Sequence, residues 1–517
     1  MTTANHDRMS GNEGQIAEFY RGRHILVTGA TGFMGKVLVQ KLLYSCPNLE
    51  KIYLLMREKR GQDVSKRLEK LTSAAIFDSL RKNHAERLEK LVAMTGDITQ
   101  PELGLSEEDQ RTLQANVSVV FHSAATVKFD EALKLSVAMN LQGTKTLTQL
   151  CLNMPKLEAF VHVSTAYCNC DRSEVHEVVY APPADPEKIM QLVESLDEDI
   201  LDSMTDKIIK NRPNTYTFTK ALAEHVLLKQ SARLPIAIIR PSIVTASWKE
   251  PLPGWVDNLN GPTGLLAGAG KGVLRTIMCH REKVADIIPV DMAINLMITV
   301  AWHTATTRPN RLVVYNCTSG VTNPIYWRNI ESWGHEYLVK HPFSGVLWYP
   351  GGSFKSSRLL NSLCVYVFHL APACVLDAFS LLTGQKPIML KIHKKLQRAV
   401  TCLEYFTTNE WKFMNDNMAQ LMKEMHPADR EKFNFNISDL NWKTYIESYV
   451  LGTRKYILKE DPSTIDTAKV HLRRMYWAHR LSQMVIFALM WQVVRSGKLT
   501  ALGYNLLSQV LHLIKPL

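Results

Sequence analysis

The stretch HILVTGATGFMGKVLVQKLL, residues 24–43, decides the fold. Its first part, HILVTGA, is a short β-rich run that ends at a glycine, and the part from Gly35 onward is helical in pattern. Gly29, Gly32 and Gly35 stand at every third position across the junction. Glycines there allow a tight turn and let the backbone approach a pyrophosphate, which sits on the free amides of the helix N-terminus. The spacing is G-x-x-G-x-x-G rather than G-x-G-x-x-G, so the trio alone is a weak signal. Its place between a strand and a helix is what points to a dinucleotide.

Outward from that turn the strand-and-helix rhythm continues. KIYLLMR (51–57), LVAMTGDI (91–98), VSVVFHSAA (117–125), AFVHVSTAY (159–167) and PIAIIRPS (235–242) are apolar runs separated by helical segments. Runs of that length indicate buried parallel strands, so the fold class is α/β, a Rossmann-type doubly wound parallel sheet. Residues 171–212, acidic and containing Pro182, Pro183 and Pro186, read as an insertion over the sheet's rim. The Gly-, Pro- and Trp-rich residues 245–290 read as loops of the ligand crevice.

The end of the second strand speaks to the cofactor. An acid there would hold the ribose 2′-hydroxyl of NAD, but the strand ends Met56-Arg57-Glu58, and a cation suits the 2′-phosphate of NADPH. Asp97, after the third strand, is placed for the adenine edge or, as the plainer alternative, caps a helix. In TYTFTKALAE (215–224), Tyr216 and Lys220 are four positions apart and share one helix face. The plain alternative is a surface pair. Downstream of a dinucleotide turn, however, a nearby cation can lower a phenol's pKa toward working pH. Ser164 and Thr165, both ending a strand, are the candidates for an accompanying hydroxyl.

Composition bounds the rest. The chain has 517 residues, 46% hydrophobic and 21% charged, which fits a globular protein. Its net charge of +12 suits a nucleic acid, an anionic membrane or a polyanionic ligand, but no nucleic-acid motif accompanies it. Nine scattered cysteines suggest reduced thiols facing a cytosol, and no histidine or cysteine spacing suggests a metal. The N-terminus has no apolar run of the secretory kind. Residues 359–382 are strongly apolar but contain His369, Pro372 and Asp377, so they read as buried or interfacial rather than spanning. KIHKKLQR (391–398) offers a basic face for anionic lipid or simply for solvent. The apolar segments 484–494 and 501–514, with flanking arginines and tryptophans, read as a membrane-associated tail.

The Tyr-x-x-x-Lys pair on a dinucleotide fold resembles the extended short-chain dehydrogenase/reductases. More narrowly, TGATGFMGKVLVQKLL, FHSAATVKFD, VHVSTAY, RPNTYTFTKALAE, IIRPSIV, the 246–272 segment and DIIPVD, in that order, are similar to the alcohol-forming fatty acyl-CoA reductases. LEYFTTNEW and LGTRKYILKEDP resemble their C-terminal male-sterility domain, and the likeness runs from about residue 16 to about residue 460. The resemblance implies a reductase domain over 16–340, a mostly helical C-terminal domain over 355–460 and an apolar tail over 470–517. It implies Thr165, Tyr216 and Lys220 as catalytic residues. For the cofactor it implies Gly29, Thr31, Gly32, Phe33, Met34, Gly35, Arg57, Asp97, Ile98, Ala124 and Pro241 beside Tyr216 and Lys220. The implied reaction is NADPH-dependent reduction of long-chain fatty acyl-CoA to a primary alcohol and coenzyme A, through an aldehyde-level intermediate. Lys271, Arg275, Arg281 and Lys283 are candidates for the coenzyme A phosphates, or ordinary charged surface. The implied setting is a peroxisomal or endoplasmic-reticulum membrane, the catalytic domain facing the cytosol. A homo-oligomer is compatible with the sequence. The rival readings are a 3β-hydroxysteroid dehydrogenase-type reductase and a non-enzymatic NADPH-binding regulator.

Overall fold

The structure, a computed structural model, describes residues 14–59 and 61–495. Seven strands form one sheet: β1 (His24–Thr28), β2 (Lys51–Met56), β3 (Leu91–Thr95), β4 (Val117–His122), β5 (Ala159–Val163), β6 (Ile236–Pro241) and β7 (Val313–Cys317). Every neighbouring pair is parallel, and the spatial order is β7-β6-β5-β4-β1-β2-β3. The chain winds outward through β2 and β3, then restarts on the other side of β1 with β4. The switch point between β1 and β4 opens a crevice at the strands' carboxyl ends. Six strands coincide with the apolar runs read from sequence. β7 was not among them, because it is five residues long and carries the polar Tyr315 and Asn316.

Alternation along the strands feeds two cores. Ile25, Val27, Val119, Phe121 and Val161 face one side of the sheet, while Leu26, Val120 and Phe160 face the other. Helix α1 (Phe33–Ser45) packs with a helix over Val290–Thr307 on the first side. The insertion forms two helices, Pro186–Ser195 and Glu198–Ile209. They bury Ile189, Val193 and Leu201 against Leu133 and Phe218 in a satellite cluster. Phe218 belongs to helix α2 (Thr215–Gln230), which carries the Tyr–Lys pair.

The C-terminal residues do not stand apart from the sheet. The short strand Lys412–Phe413 pairs with Glu174–Val175, and Met418, Phe433 and Tyr445 join the first core. Residues 358–382 form a helix interrupted by a π turn at Tyr366–Leu370. It folds back through a short turn into the helix Met389–Thr408, making an antiparallel hairpin. The apolar residues of the first helix are largely exposed. His369 and Asp377, which interrupted its apolar run, are buried and employed: His369 Nε2 accepts from the Arg275 amide at 2.7 Å, and the Asp377 carboxylate caps the second helix at the Met389 and Leu390 amides, 2.8 and 2.9 Å away. Residues 484–494 lie on a 31-residue helix, Ile465–Arg495, and the expected apolar segment 501–514 lies outside the described residues.

Candidate active site

The turn after β1 is shaped by its glycines. Gly29 has φ +80°, and a Cβ on it would stand 2.7 Å from the Ala124 amide nitrogen, so β1 and the segment after β4 touch through bare backbone. A Cβ on Gly35 would lie 2.2 Å from the Gly29 carbonyl oxygen, so helix and turn are pressed together. Gly32 is different: a Cβ there meets only the Gly29 oxygen at 3.2 Å, and no side chain caps the helix it begins. The first amides of α1 therefore face an open cradle that a pyrophosphate fits. Phe33 and Met34 are half-buried and pack against the core, with Phe33 stacked on Trp255 at 5.5 Å, so what they chiefly offer a ligand is their main-chain amides.

Beyond the end of β2, Arg57 lies 3.6 Å from Asp97 and is half-exposed. The sequence reading missed Arg67. Its guanidinium donates to the Thr31 hydroxyl at 3.1 Å and to the Arg57 carbonyl, and burial together with the Arg57 charge holds its pKa below the usual value. Two guanidiniums thus gather beside the dinucleotide turn. Asp97 accepts from the amide and hydroxyl of Thr99 at 3.0 and 2.9 Å, which is a turn-forming bond as well as a charge for Arg57. Ile98 is buried against Gly143. Pro241 ends β6 and is buried beside Cys317 of β7.

Thr165, Tyr216 and Lys220 come together at the carboxyl end of β5. The Thr165 hydroxyl faces the Tyr216 phenol within hydrogen-bonding reach and accepts from the Tyr167 amide at 3.3 Å. Burial raises the Tyr216 phenol above its ordinary range and the Thr165 bond only partly opposes it, so the phenol is held protonated. Lys220 is 2% exposed, and its ammonium donates to the Val163 carbonyl at 2.6 Å. Burial pulls its pKa down to about 8 against the pull of Glu224. The sequence-based expectation that Lys220 lowers the phenol's pKa is not met here: burial dominates the phenol, Lys220 is not among the groups that shift it, and the ammonium spends its bond on the backbone of β5.

Ser164, the other candidate hydroxyl, points away and donates to Glu224 Oε1 at 2.6 Å. Glu224 lies one turn beyond Lys220 and forms a two-pronged pair with Arg240 of β6, at 2.8 and 2.6 Å, with both side chains buried. Arg240 also donates to the carbonyls of His176 and Val178 at 3.0 and 2.8 Å. The pair fastens α2 to β6 and so fixes where Tyr216 and Lys220 stand. Sequence pattern gave no sign of this network except that an arginine interrupts an apolar strand. Asn140 was also missed. It lies within a π turn and ties Thr126 to α2 through a 3.0 Å bond to Thr219. Phe129 lies 5.9 Å from the Tyr216 ring and 5.1 Å from Phe406, which brings the C-terminal part of the chain to the site.

Three of the four candidate phosphate cations are already engaged: Lys271 pairs with Glu460 at 2.8 Å, Arg281 with Glu331 at 2.7 Å and Lys283 with Glu410 at 2.9 Å. Arg275 lies against Phe368, and its buried Nε has no hydrogen-bond partner among the described residues. Among the described residues no group of three or more His, Cys, Asp or Glu side chains could hold a metal ion.

Two family models, both described as male sterility protein, match residues 27–297 and 368–460. Fatty acyl-CoA reductase 1 of Xenopus laevis is 44% identical over 92% of this chain and 93% of its own length; the Homo sapiens protein of that name is 42% identical over the same shares. Fatty acyl-CoA reductase 2 of Bos taurus is 43% identical over 93% of each. Among solved structures, the reductase domain of a nonribosomal peptide synthetase from Mycobacterium tuberculosis superposes with a TM-score of 0.56, at 21% identity over 83% of this chain and 92% of that one. The terminal R domain of the myxalamid pathway gives 0.51 at 20% identity, over 84% and 90%. These two show the fold. The relatives favour neither a steroid dehydrogenase nor a non-enzymatic regulator. With identity above two-fifths sustained across nine-tenths of its length, this chain belongs to the fatty acyl-CoA reductase family of oxidoreductases.

Proposed function

We propose that this chain reduces a long-chain fatty acyl-CoA with NADPH to the primary alcohol and coenzyme A. The meeting of Thr165, Tyr216 and Lys220 at the carboxyl edge of β5, with only β4 between it and the strand that carries the dinucleotide turn, is the observation that carries the reading. When bound, the nicotinamide supplies hydride, and two hydrides take a thioester through the aldehyde level to the alcohol. The chain's own part is to hold the carbonyl oxygen and to move protons. Tyr216, kept protonated by burial, is the donor to the oxygen that becomes anionic, and Thr165 is the second hydroxyl within reach of it. Lys220, one helical turn away and with a pKa of about 8, can return a proton to the phenolate near neutral pH.

Preference for NADPH over NADH is supported by Arg57 and Arg67. Without an anion they repel each other, and a 2′-phosphate would answer both charges. Asp97, an acid that could take a 2′-hydroxyl, is already faced by Arg57 and Thr99. We assign the enzyme to a peroxisomal or endoplasmic-reticulum membrane, attached through its tail with the catalytic domain in the cytosol. The exposed Trp477, Leu481, Phe487 and Trp491 on the helix leading into that tail support attachment.

The test is purified full-length protein with palmitoyl-CoA and NADPH. Hexadecanol with two NADPH consumed per acyl-CoA is expected. Tyr216→Phe should lower kcat by roughly 10²–10⁴-fold, the range of a lost proton donor, with NADPH affinity unchanged. Aldehyde at one NADPH would remove the second step, and no turnover across several chain lengths despite NADPH binding would overturn the substrate.

A further inference from the structure

The hairpin of residues 358–408 carries a surface that the reductase chemistry does not use. Its first helix turns Cys364, His369, Ala373 and Asp377 inward, spaced five, four and four apart, and the π turn supplies the extra residue that keeps them on one side. The opposite side leaves Leu359, Leu363, Val367, Leu376, Phe379 and Leu382 exposed, Leu359 by 83% and Leu382 by 87%. The helix is 25 residues long and apolar enough to cross a membrane by composition. It does not continue as a span: after Leu382 the chain turns back, and the buried Asp377 holds the returning helix by its N-terminus.

The returning helix continues the apolar surface with Ile388 and Ile392 and adds charge. Lys391, Lys394, Lys395 and Arg398 follow the i, i+3, i+4, i+7 spacing of one helix face, and all four are exposed. None has an ion-pair partner among the described residues, unlike Lys271, Arg281 and Lys283. Apolar side chains beside unpaired cations are the composition of an in-plane helix on an anionic bilayer. Arg275 joins the hairpin to the long C-terminal helix: its amide donates to His369 of the hairpin, its guanidinium lies 5.8 Å from Phe368, and its charge adds to the burial that depresses His479 of the C-terminal helix.

We propose that the hairpin is a second membrane-docking element, lying in the plane of an anionic leaflet and separate from the tail. The returning helix, 20 residues or about 30 Å long, runs from that surface to the catalytic tyrosine, ending with Phe406 against Phe129 and Phe129 against Tyr216. The hairpin thereby sets the site's entrance at the lipid surface from which a long acyl chain is drawn. That purpose rests on the acyl-CoA reading; the docking does not.

Cys374, on the exposed side of the first helix, supplies the probe. Full-length protein carrying Cys402→Ser is labelled at Cys374 with an environment-sensitive fluorophore and mixed with vesicles of phosphatidylcholine, with or without phosphatidylserine. The label should shift to the blue and be quenched by bromine-labelled acyl chains on the anionic vesicles. Lys391→Gln/Lys394→Gln/Lys395→Gln should weaken that insertion roughly a hundredfold, at the usual worth of a basic side chain near an anionic leaflet. Three results overturn the proposal: vesicle-bound protein whose label stays in water, which leaves attachment to the tail alone; a blue shift that needs no lipid but rises with protein concentration, which makes the cover a second copy; and a Cys374 that refuses the label, which makes it the chain's own tail. NADPH oxidation on a water-soluble short-chain acyl-CoA, measured alongside, tests the reductase reading separately.

Discussion

Replacing Lys220 by methionine should separate stability from activity. Lys220 is 2% exposed, and burial brings its pKa from 10.5 down to about 8. In the unfolded chain the ammonium keeps its ordinary pKa, so between about pH 8 and about pH 10.5 the unfolded state holds a proton that the folded state has lost. The unfolding free energy therefore rises with pH across that window. Below it both states are charged, and the fold bears the whole cost of the buried ammonium, about 3 kcal/mol at 1.36 kcal/mol per pH unit. Lys220→Met removes the charge at similar length but leaves the Val163 carbonyl without its 2.6 Å partner, a loss of about 1–3 kcal/mol. At neutral pH the two nearly offset, and the variant should match or slightly exceed the wild type. Its relative stability should then fall by about 3 kcal/mol as pH rises to about 10.5, because every other titrating group is common to both chains. Urea unfolding followed by tryptophan fluorescence at several pH values measures this, without nucleotide. Turnover should meanwhile drop by roughly 10²–10⁴-fold. Parallel stability curves for the two chains would refute the reasoning, since they would mean the ammonium is not desolvated by the fold.

Arg240→Met should destabilise the protein by about 3–5 kcal/mol, because Glu224 would keep a buried charge with only Ser164 and Cys168 for partners. Arg240→Met/Glu224→Leu should recover much of that in urea unfolding, and a double variant as unstable as the sum of the singles would speak against a closed pair. Gly29→Ala should abolish measurable nucleotide binding, since its Cβ would sit 2.7 Å from the Ala124 nitrogen at φ +80°; titration with NADPH by fluorescence checks it. Arg67→Ala should narrow the preference for NADPH over NADH by roughly tenfold or more, the worth of one charge-assisted hydrogen bond, read as the ratio of kcat/KM for the two cofactors.

The residues that were legible in the sequence share a property: their neighbours are close along the chain. The dinucleotide turn joins a strand directly to the helix after it, and the Tyr216–Lys220 spacing is one helical turn, so both follow from local geometry. Arg67 contacts Thr31 across 36 positions, and its sequence surroundings, VSKRLEKL, look like any amphipathic helix. Asp377 looked like a flaw in an apolar segment because its partners, the Met389 and Leu390 amides, exist only once the chain has turned back on itself.

By itself, the sequence determined the parallel strands, the glycine turn after the first of them and the placing of Tyr216 and Lys220 on one helix face, because apolar periodicity and turn chemistry act over a few residues. Ser164 and Thr165 were indistinguishable at that level: adjacent residues at a strand end point to opposite sides, and only packing decides which side holds the phenol. The tertiary structure decided it by giving Ser164 to the buried Glu224–Arg240 pair and Thr165 to Tyr216. It also decided that the apolar run 359–382 is outer surface, since burial depends on what the rest of the chain leaves uncovered.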